Sequence, residues 1–388
     1  MNKVNFLRKT KKRRNLKRSD FLKKRNILLI FIIFIFCFIG CRKVPNNNSN
    51  SNNFNSRIAT QRATQYMERL KRNDIEGANK ISTKELATSN KIKDINNMPI
   101  VSFSSGNVVE TGNSAYVTFY CSRAKGEVSD ASLDMITLKI AKEDNEYKVS
   151  DMKSETIKQL YHKGSELRVT NKDMGNSELV LRLKDIPLEM YPKDQKPAIK
   201  IIKIPKDKFS IFGISYTGRN IALSTTDGKN SFIGVAVLEE SGISEASAKP
   251  VNNLIAESNS SNEGIDENTL KQILEKPIAK KILAYDIIPD SSIKSMIFNE
   301  EDGNLIVQYT KGKGKGLGIK IYKNPDGELL EIDFEKIFPI DKYSINYQGA
   351  TKNDIVIKVV SLKDKGNVSQ ELLGNYRIDL LEKTLEKI

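Results

Sequence analysis

From Arg57 onward, apolar residues recur at three- and four-residue intervals, and Ala59, Ala63, Tyr66, Met67 and Leu70 fall on one face of a helix. Asp74 is placed to cap a second helix carrying Ile75, Ala78 and Ile81, and Lys84–Lys91 reads as a short third. The period then drops to two. VVETGNSAYVTFYCSR (Val108–Arg123) predicts a hairpin turning at Gly112-Asn113, and MITLKIAKEDNEYKVSDMK (Met135–Lys153) predicts another turning at Glu143–Asn145. Alternation puts Val117, Phe119 and Cys121 on one side of their strand and Tyr116, Thr118 and Tyr120 on the other. Helices followed by antiparallel hairpins make an α+β plan over residues 57–155.

Past Ser154 a short helix is expected over Glu155–His162, and residues 156–388 then read as β-rich. Three stretches there share a plan: Gly218–Glu240, Asp302–Gly327 and Lys352–Lys383. Each has a polar turn, an apolar-rich strand, a Gly- or Lys-rich loop and an alternating strand. The segments before them, DKFSIFGISYT, SSIKSMIFNEE and DKYSINYQGAT, also match one another. Polar residues near 241–266 predict a linker, followed by a short helix over Asp266–Lys276.

Two resemblances follow. The helices and the ending "strand, acidic turn, Tyr-Lys-Val-Ser-Asp", with Tyr147 as the aromatic, resemble the nuclear-transport-factor-2-like cone domain. The repeated turn–strand–loop–strand units resemble blades of a TolB-like β-propeller. Three units at uneven spacing leave an all-β sandwich as the alternative. The expected fold is an α+β N-terminal domain followed by an all-β, propeller-like or sandwich C-terminal domain.

The chain begins differently. Ile27–Cys41, ILLIFIIFIFCFIGC, is 15 residues without a charge. As a helix it is about 22 Å long, short of the roughly 30 Å hydrocarbon core of a bilayer. Residues 1–26 ahead of it hold 12 Lys/Arg and one acid, Asp20, and after it residues 42–56 (NNNSNSNNFNS in part) read as an Asn/Ser tether. Phe38-Ile39-Gly40-Cys41 resembles a bacterial lipobox, which implies diacylation of Cys41 as the mature N-terminus. Phe38 where Leu is usual, and the long basic segment, depart from that pattern, so an uncleaved signal anchor is the alternative. The abundance of Asn, Lys and Ile and the absence of Trp point to an AT-rich coding background, as in low-GC Gram-positive bacteria.

Charge agrees with a membrane setting. The formal net charge is +15, yet Val44–Ile388 holds 49 Lys/Arg against 47 Asp/Glu. The excess therefore belongs to the leader, which reads as a cytoplasmic positive-inside anchor and not as a nucleic-acid surface. Of three cysteines, Cys37 lies in the apolar run and Cys41 at its end. Cys121 alone remains for the folded part, so no disulfide framework is available there.

Candidate chemistry is sparse. His162, the single histidine, sits before Gly164 at what reads as a helix end, where it favours the helix dipole. Cys121 reads as core. KGKGKGLG (Lys311–Gly318) lacks phosphate-loop spacing and reads as a basic hairpin loop. The carboxylates Glu300-Glu301-Asp302 and Asp326-Gly327-Glu328 read as turn residues facing solvent. No catalytic, cofactor or metal residue is assigned; Cys41, as a lipidation site, is the one site residue. The expectation is a non-catalytic lipoprotein of the cell membrane, its bulk outside the cytoplasm, binding a protein partner or envelope polymer. An accessory subunit of an envelope machine is the alternative, and a cell-wall hydrolase a distant one.

Overall fold

The computed structural model describes residues 54–388 apart from 90, 93–97, 126–129, 144, 173–174, 192–200, 239–274 and 363–367. The leader, the apolar run, Cys41, most of the tether, the polar linker and nearly all of the helix expected over 266–276 therefore lie outside the described residues. Among the described residues no helix is long and apolar enough to cross a membrane.

Three helices come first: α1 (Ser56–Lys71), α2 (Ile75–Lys80) and α3 (Lys84–Thr88). Each starts on a polar cap. Asn55 accepts from the N–H groups of Arg57 and Ile58, Asp74 from Gly77, and Thr83 from Leu86. Asn55 corrects the tether reading, because the last residues of the Asn/Ser tract are structured. Asn is a good loop residue and an equally good N-cap. Phe54 beside it packs edge-on against Tyr147 at 5.1 Å, and the Tyr147 hydroxyl accepts the Asn55 N–H at 2.6 Å.

A six-stranded antiparallel meander follows, forming a half-barrel: β1 (Ile100–Thr111), β2 (Ser114–Ala124), β3 (Ala131–Glu143), β4 (Glu146–Lys163), β5 (Glu166–Asn171) and β6 (Ser177–Arg182). The two expected hairpins are present, turning through Gly112 and Asn145 at φ 59° and 64°. The helix expected over Glu155–His162 is instead the second half of β4. That segment pairs with β3 on one side and β5 on the other, and two hydrogen-bonded neighbours outweigh local helix propensity.

A small ribbon, β7 (Glu189–Met190) with β8 (Ile202–Lys203), leads to three further sheets. The first holds β9 (Lys208–Ile214), β10 (Asn220–Thr226), β11 (Ser231–Leu238) and β12 (Ala279–Ile288). The second holds β13 (Ser291–Phe298), β14 (Asn304–Lys311) and β15 (Gly318–Lys323). The third, after a one-turn helix α4 (Phe334–Ile337), holds β16 (Tyr343–Ala350), β17 (Asp354–Ser361), β18 (Gly374–Asp379) and β19 (Thr384–Lys387). The chain as described is thus mostly β.

Four apolar clusters lie between these layers. One joins α1–α3 to β1–β4 through Tyr66, Met67, Phe119, Ile136 and Leu138. The second lies between β3–β6 and the β9–β12 sheet, the third between that sheet and β13–β15, and the fourth between β13–β15 and β16–β19. Sheets stacked face to face around successive cores are a propeller-like arrangement. Contact is close between β9 and β13, where a Cβ on Gly213 would lie 2.2 Å from the Met296 carbonyl oxygen. The last sheet returns to the first through Lys71. Its ammonium donates to the Gln348 carbonyl and lies 5.8 and 5.2 Å from the centres of the Phe103 and Tyr347 rings.

The matching segments of the sequence become β9, β13 and β16, and each ends in a similar turn. Ser215 accepts the Asn220 N–H (3.1 Å), Asn299 the Asn304 N–H (2.7 Å) and Thr351 the Asp354 N–H (3.1 Å). These turns are also tied together. The Asp302 carboxylate accepts from the Tyr216 N–H (3.1 Å) and Thr217 hydroxyl (2.5 Å), while Asn299 donates to the Lys352 carbonyl (2.9 Å).

One buried ion pair stands inside the half-barrel. Arg123 Nε lies 2.6 Å from Asp134 Oδ2, with side chains 2% and 9% exposed, and Arg123 Nη1 donates to the Met98 carbonyl at 2.6 Å. Taking away one member strands the other charge in the core, which typically costs about 3–5 kcal/mol. Urea denaturation of Asp134→Ala should show a loss of that order, whereas the joint replacement Arg123→Met/Asp134→Leu should lose much less. A single variant as stable as the double one would contradict this account.

Candidate functional site

A cleft of about 450 Å³ opens beside β15 and is built from two adjacent strands. Tyr309 and Lys311 are two residues apart on β14, and Lys320 and Tyr322 two apart on β15. The register Leu305↔Tyr322, Val307↔Lys320 and Tyr309↔Gly318 puts all four on one face. Each lysine is met by a carboxylate from another element. Lys320 Nζ is 2.7 Å from Asp286 Oδ2 of β12, and the Tyr322 hydroxyl donates to the same oxygen at 2.7 Å. Lys311 Nζ reaches both oxygens of Glu335 in α4, at 2.6 and 2.9 Å, and the Tyr309 hydroxyl donates to one of them. The Tyr309 ring passes close under Gly318, where a Cβ would stand 2.7 Å from the ring. The far wall is the segment 329–335.

Burial and hydrogen bonding shift two groups of this arrangement. Burial, with the Glu335 carboxylate beside it, pushes the Tyr309 hydroxyl far up, so it stays a donor. Burial also works to raise Glu335, but the hydrogen bonds from Lys311 and Tyr309 outweigh it and hold the carboxyl below its usual value. The cleft thus presents fixed donors and acceptors flanked by the half-exposed apolar side chains Leu329, Leu330 and Ile332. A smaller hollow of about 200 Å³ lies on the outer sheet face near Tyr116, Met135 and Lys139.

The residues singled out from sequence lie elsewhere, Lys311 excepted. Cys41 is outside the described residues. Cys121 is fully buried in the helix-covered core, beside Val117 and Phe119, and burial pushes its thiol far up. His162 is exposed on strand β4, not at a helix end, with the Phe209 and Phe212 rings 6.4 and 6.5 Å away; it caps nothing because the helix it was to cap is a strand. KGKGKGLG is a hairpin loop between β14 and β15, with Gly312 and Gly314 both at φ 71°. The turn carboxylates do not converge. Glu301 is exposed and pairs with Lys352 (2.8 Å), and Asp326 pairs with Lys323 (3.1 Å). Asp302 departs from expectation, being 5% exposed and held at φ 58° by its bonds to the neighbouring turn. Among the described residues no group of three or more His, Cys, Asp or Glu is placed to hold a metal ion.

Sequence reasoning missed Tyr309, Lys320, Tyr322, Asp286 and Glu335. The mirrored spacings Tyr-x-Lys and Lys-x-Tyr on consecutive strands were a readable signal. The carboxylates, from positions 286 and 335, were not.

The lowered Glu335 value fixes the sign of a pH effect. The folded carboxyl sits below its unfolded value near 4.5, so its stabilisation is fully present above that pH and fades as pH falls through the lowered value. Glu335→Gln should therefore be less stable than the parent at pH 7, with the gap closing in acid. An equal gap at both pH values, measured by thermal unfolding, would refute the Lys311–Glu335 contact as drawn. Tyr309→Phe removes one hydrogen bond and should cost about 1 kcal/mol at pH 7.

No protein-family model and no curated protein matches the chain. Among solved structures it is similar to puromycin hydrolase, at 8% identity over 73% of this chain and 46% of that one, with a TM-score of 0.28. It is similar to an acylaminoacyl peptidase from Pyrococcus horikoshii (9%, 74% and 46%, TM-score 0.23). It is also similar to the β-propeller domain of the trilobed protease from Pyrococcus furiosus (9%, 74% and 85%, TM-score 0.21). The chain spans less than half the length of the first two. With peptidases among these structures, the expectation of a non-catalytic protein is withdrawn; TM-scores this low carry no argument for a particular reaction.

Proposed function

We propose that this chain is a lipid-anchored envelope protein that holds a ligand or protein partner in the cleft beside β15. The anchor rests on sequence: a basic leader, an uncharged run too short to span comfortably, and Gly40-Cys41 at its end followed by a polar tether. In this reading Cys41 carries the lipid, and the bulk of the chain works outside the cytoplasm. Residues 57–155 serve as a cone-like α+β domain of the nuclear-transport-factor-2 type, which three capped helices on a β meander support. The following sheets serve as TolB-like blades, supported by the three matching turns.

The cleft is the single observation that carries the binding role. It has the size of a ligand site, is bordered by apolar side chains, and is lined by polar groups whose positions are fixed by two Lys–carboxylate–Tyr contacts.

Two measurements test the two halves. Cells fed a labelled fatty acid should label the parent protein and not Cys41→Ala; equal labelling removes the lipid anchor. A photocrosslinking amino acid at position 331, on the cleft wall, should capture a discrete envelope species that one at position 108, on the β1 hairpin, does not. Identical yields from both positions would remove the cleft as the binding site.

A further inference from the structure

Strand β1 is an edge of the six-stranded sheet, and from Ser105 to Thr111 every residue except Gly106 is exposed. Thr111 and Ser114 flank a two-residue turn, so ladder alternation aims the N–H and C=O of Val108 and Glu110 away from β2. Among the described residues no group of another element pairs with that outer side. The side chains there are apolar. Val108 and Val109 are 42% and 55% exposed, and Tyr116, opposite Val109 on β2, is 38% exposed. Natural edges are usually guarded by Lys or Pro, yet Glu110 is the one charge between Val101 and Arg123, and no proline lies there.

We infer that this edge pairs, antiparallel, with the same edge of a second copy of the chain, about a two-fold axis at Val109. The inference rests in part on the anchor at Cys41, for the reason given below. Only residues with outward backbone groups can exchange hydrogen bonds across the axis, and three registers do so. One centred on Glu110 sets two carboxylates directly opposite each other. One centred on Val108 runs Glu110 into the bulge between Ser105 and Val108. The register centred on Val109 avoids both faults. It pairs Val108 with Glu110 of the second copy, twice, and brings the two Val109 side chains together. Tyr116 flanks each Val109, so four apolar side chains become continuous across the axis.

The anchor supplies what the area does not. Five residues of edge, roughly 17 Å of strand, bury about 400 Å² in total, well below the roughly 1,200 Å² of a stable interface. Two copies held on one bilayer need less, because confinement raises their effective concentration. The chain enters the fold at the end of the sheet that carries this edge. Phe54 packs on Tyr147, Tyr147 pairs with Lys142, and the neighbouring Ala141 pairs with Ser114 at the β1–β2 turn. Twelve residues separate Cys41 from Phe54, and at full stretch they reach about 45 Å. Every anchored copy therefore carries the edge within the same thin layer above the lipid.

Cysteine crosslinking of the full chain on phospholipid vesicles tests the register. Facing residues at Val109 would have Cα atoms about 4.5 Å apart, so oxidised Val109→Cys should give about tenfold more disulfide-linked dimer than the parent. The parent, with Cys37, Cys41 and Cys121, sets the background. Thr111→Cys should stay at that background, since its two copies lie about 13 Å apart along the strands. Adding Val108→Glu, which faces Glu110 of the second copy, should cut the Val109→Cys yield about threefold; Val108→Lys should not. Equal yields at positions 109 and 111, or equal effects of the two charge variants, would overturn the pairing. A photocrosslinking residue at position 108 should capture a second copy and no other species. With Cys41→Ala the yield should drop about tenfold as confinement is lost. An undiminished yield without fatty-acid label keeps the strand pair and discards the lipid anchor. A labelled protein that gives no dimer at position 109 keeps the anchor and discards the pair.

Discussion

β3 and β4 each serve two hydrophobic cores, and the remainder of the described structure is arranged around that demand. Ile136, Leu138 and Ile140 of β3 pack under the helices, while Ala131 and Leu133 of the same strand pack against the β9–β12 sheet. β4 divides likewise, with Met152 in the first core and Leu160 in the second. Strands of 13 and 18 residues are long for globular proteins; β3 lies between β2 and β4 along nearly its whole length, and β4 takes β5 as a second partner only from Lys158 onward. The helical part and the stacked sheets are therefore joined by continuous backbone hydrogen bonds across residue 155. Movement of one part against the other would have to break sheet.

The stack of sheets is held at its faces by apolar burial and at its turns by hydrogen bonds. Asp302 and Asn299 tie three equivalent turns into a series, so a repeat in sequence becomes a repeat in bonding. Lys71 then connects the last sheet to the first, resting between two aromatic rings while burial pulls its pKa down. Close packing limits what can occupy these junctions. Gly213 and Gly318 mark two places where another strand's backbone or ring leaves no room for a Cβ.

Local signals were legible where local chemistry governs. The hairpins at Gly112-Asn113 and Glu143–Asn145, the cap at Asp74 and the inward face of Val117, Phe119 and Cys121 are all as the pattern implies. Residues 155–162 were misread because their helix propensity is overruled by two flanking strands. Asp302 was misread because an acid in a turn ordinarily faces water, and the neighbouring turn that buries it comes from 85 residues earlier. The cleft was illegible for the same reason: Lys311 and Lys320 are 24 and 34 residues from the carboxylates that meet them.

By itself the sequence determined periodicity, caps, turn positions, the recurrence of three strand–turn segments and the concentration of charge before residue 44. These depend on neighbours within a few positions, where hydrogen-bond reach and side-chain alternation decide the outcome. Only the tertiary structure decided that β4 is shared between two cores, and that two lysines and two tyrosines on adjacent strands face carboxylates brought from other elements. Those features depend on which strands lie beside one another, and strand pairing brings together residues whose separation along the chain carries no local signal.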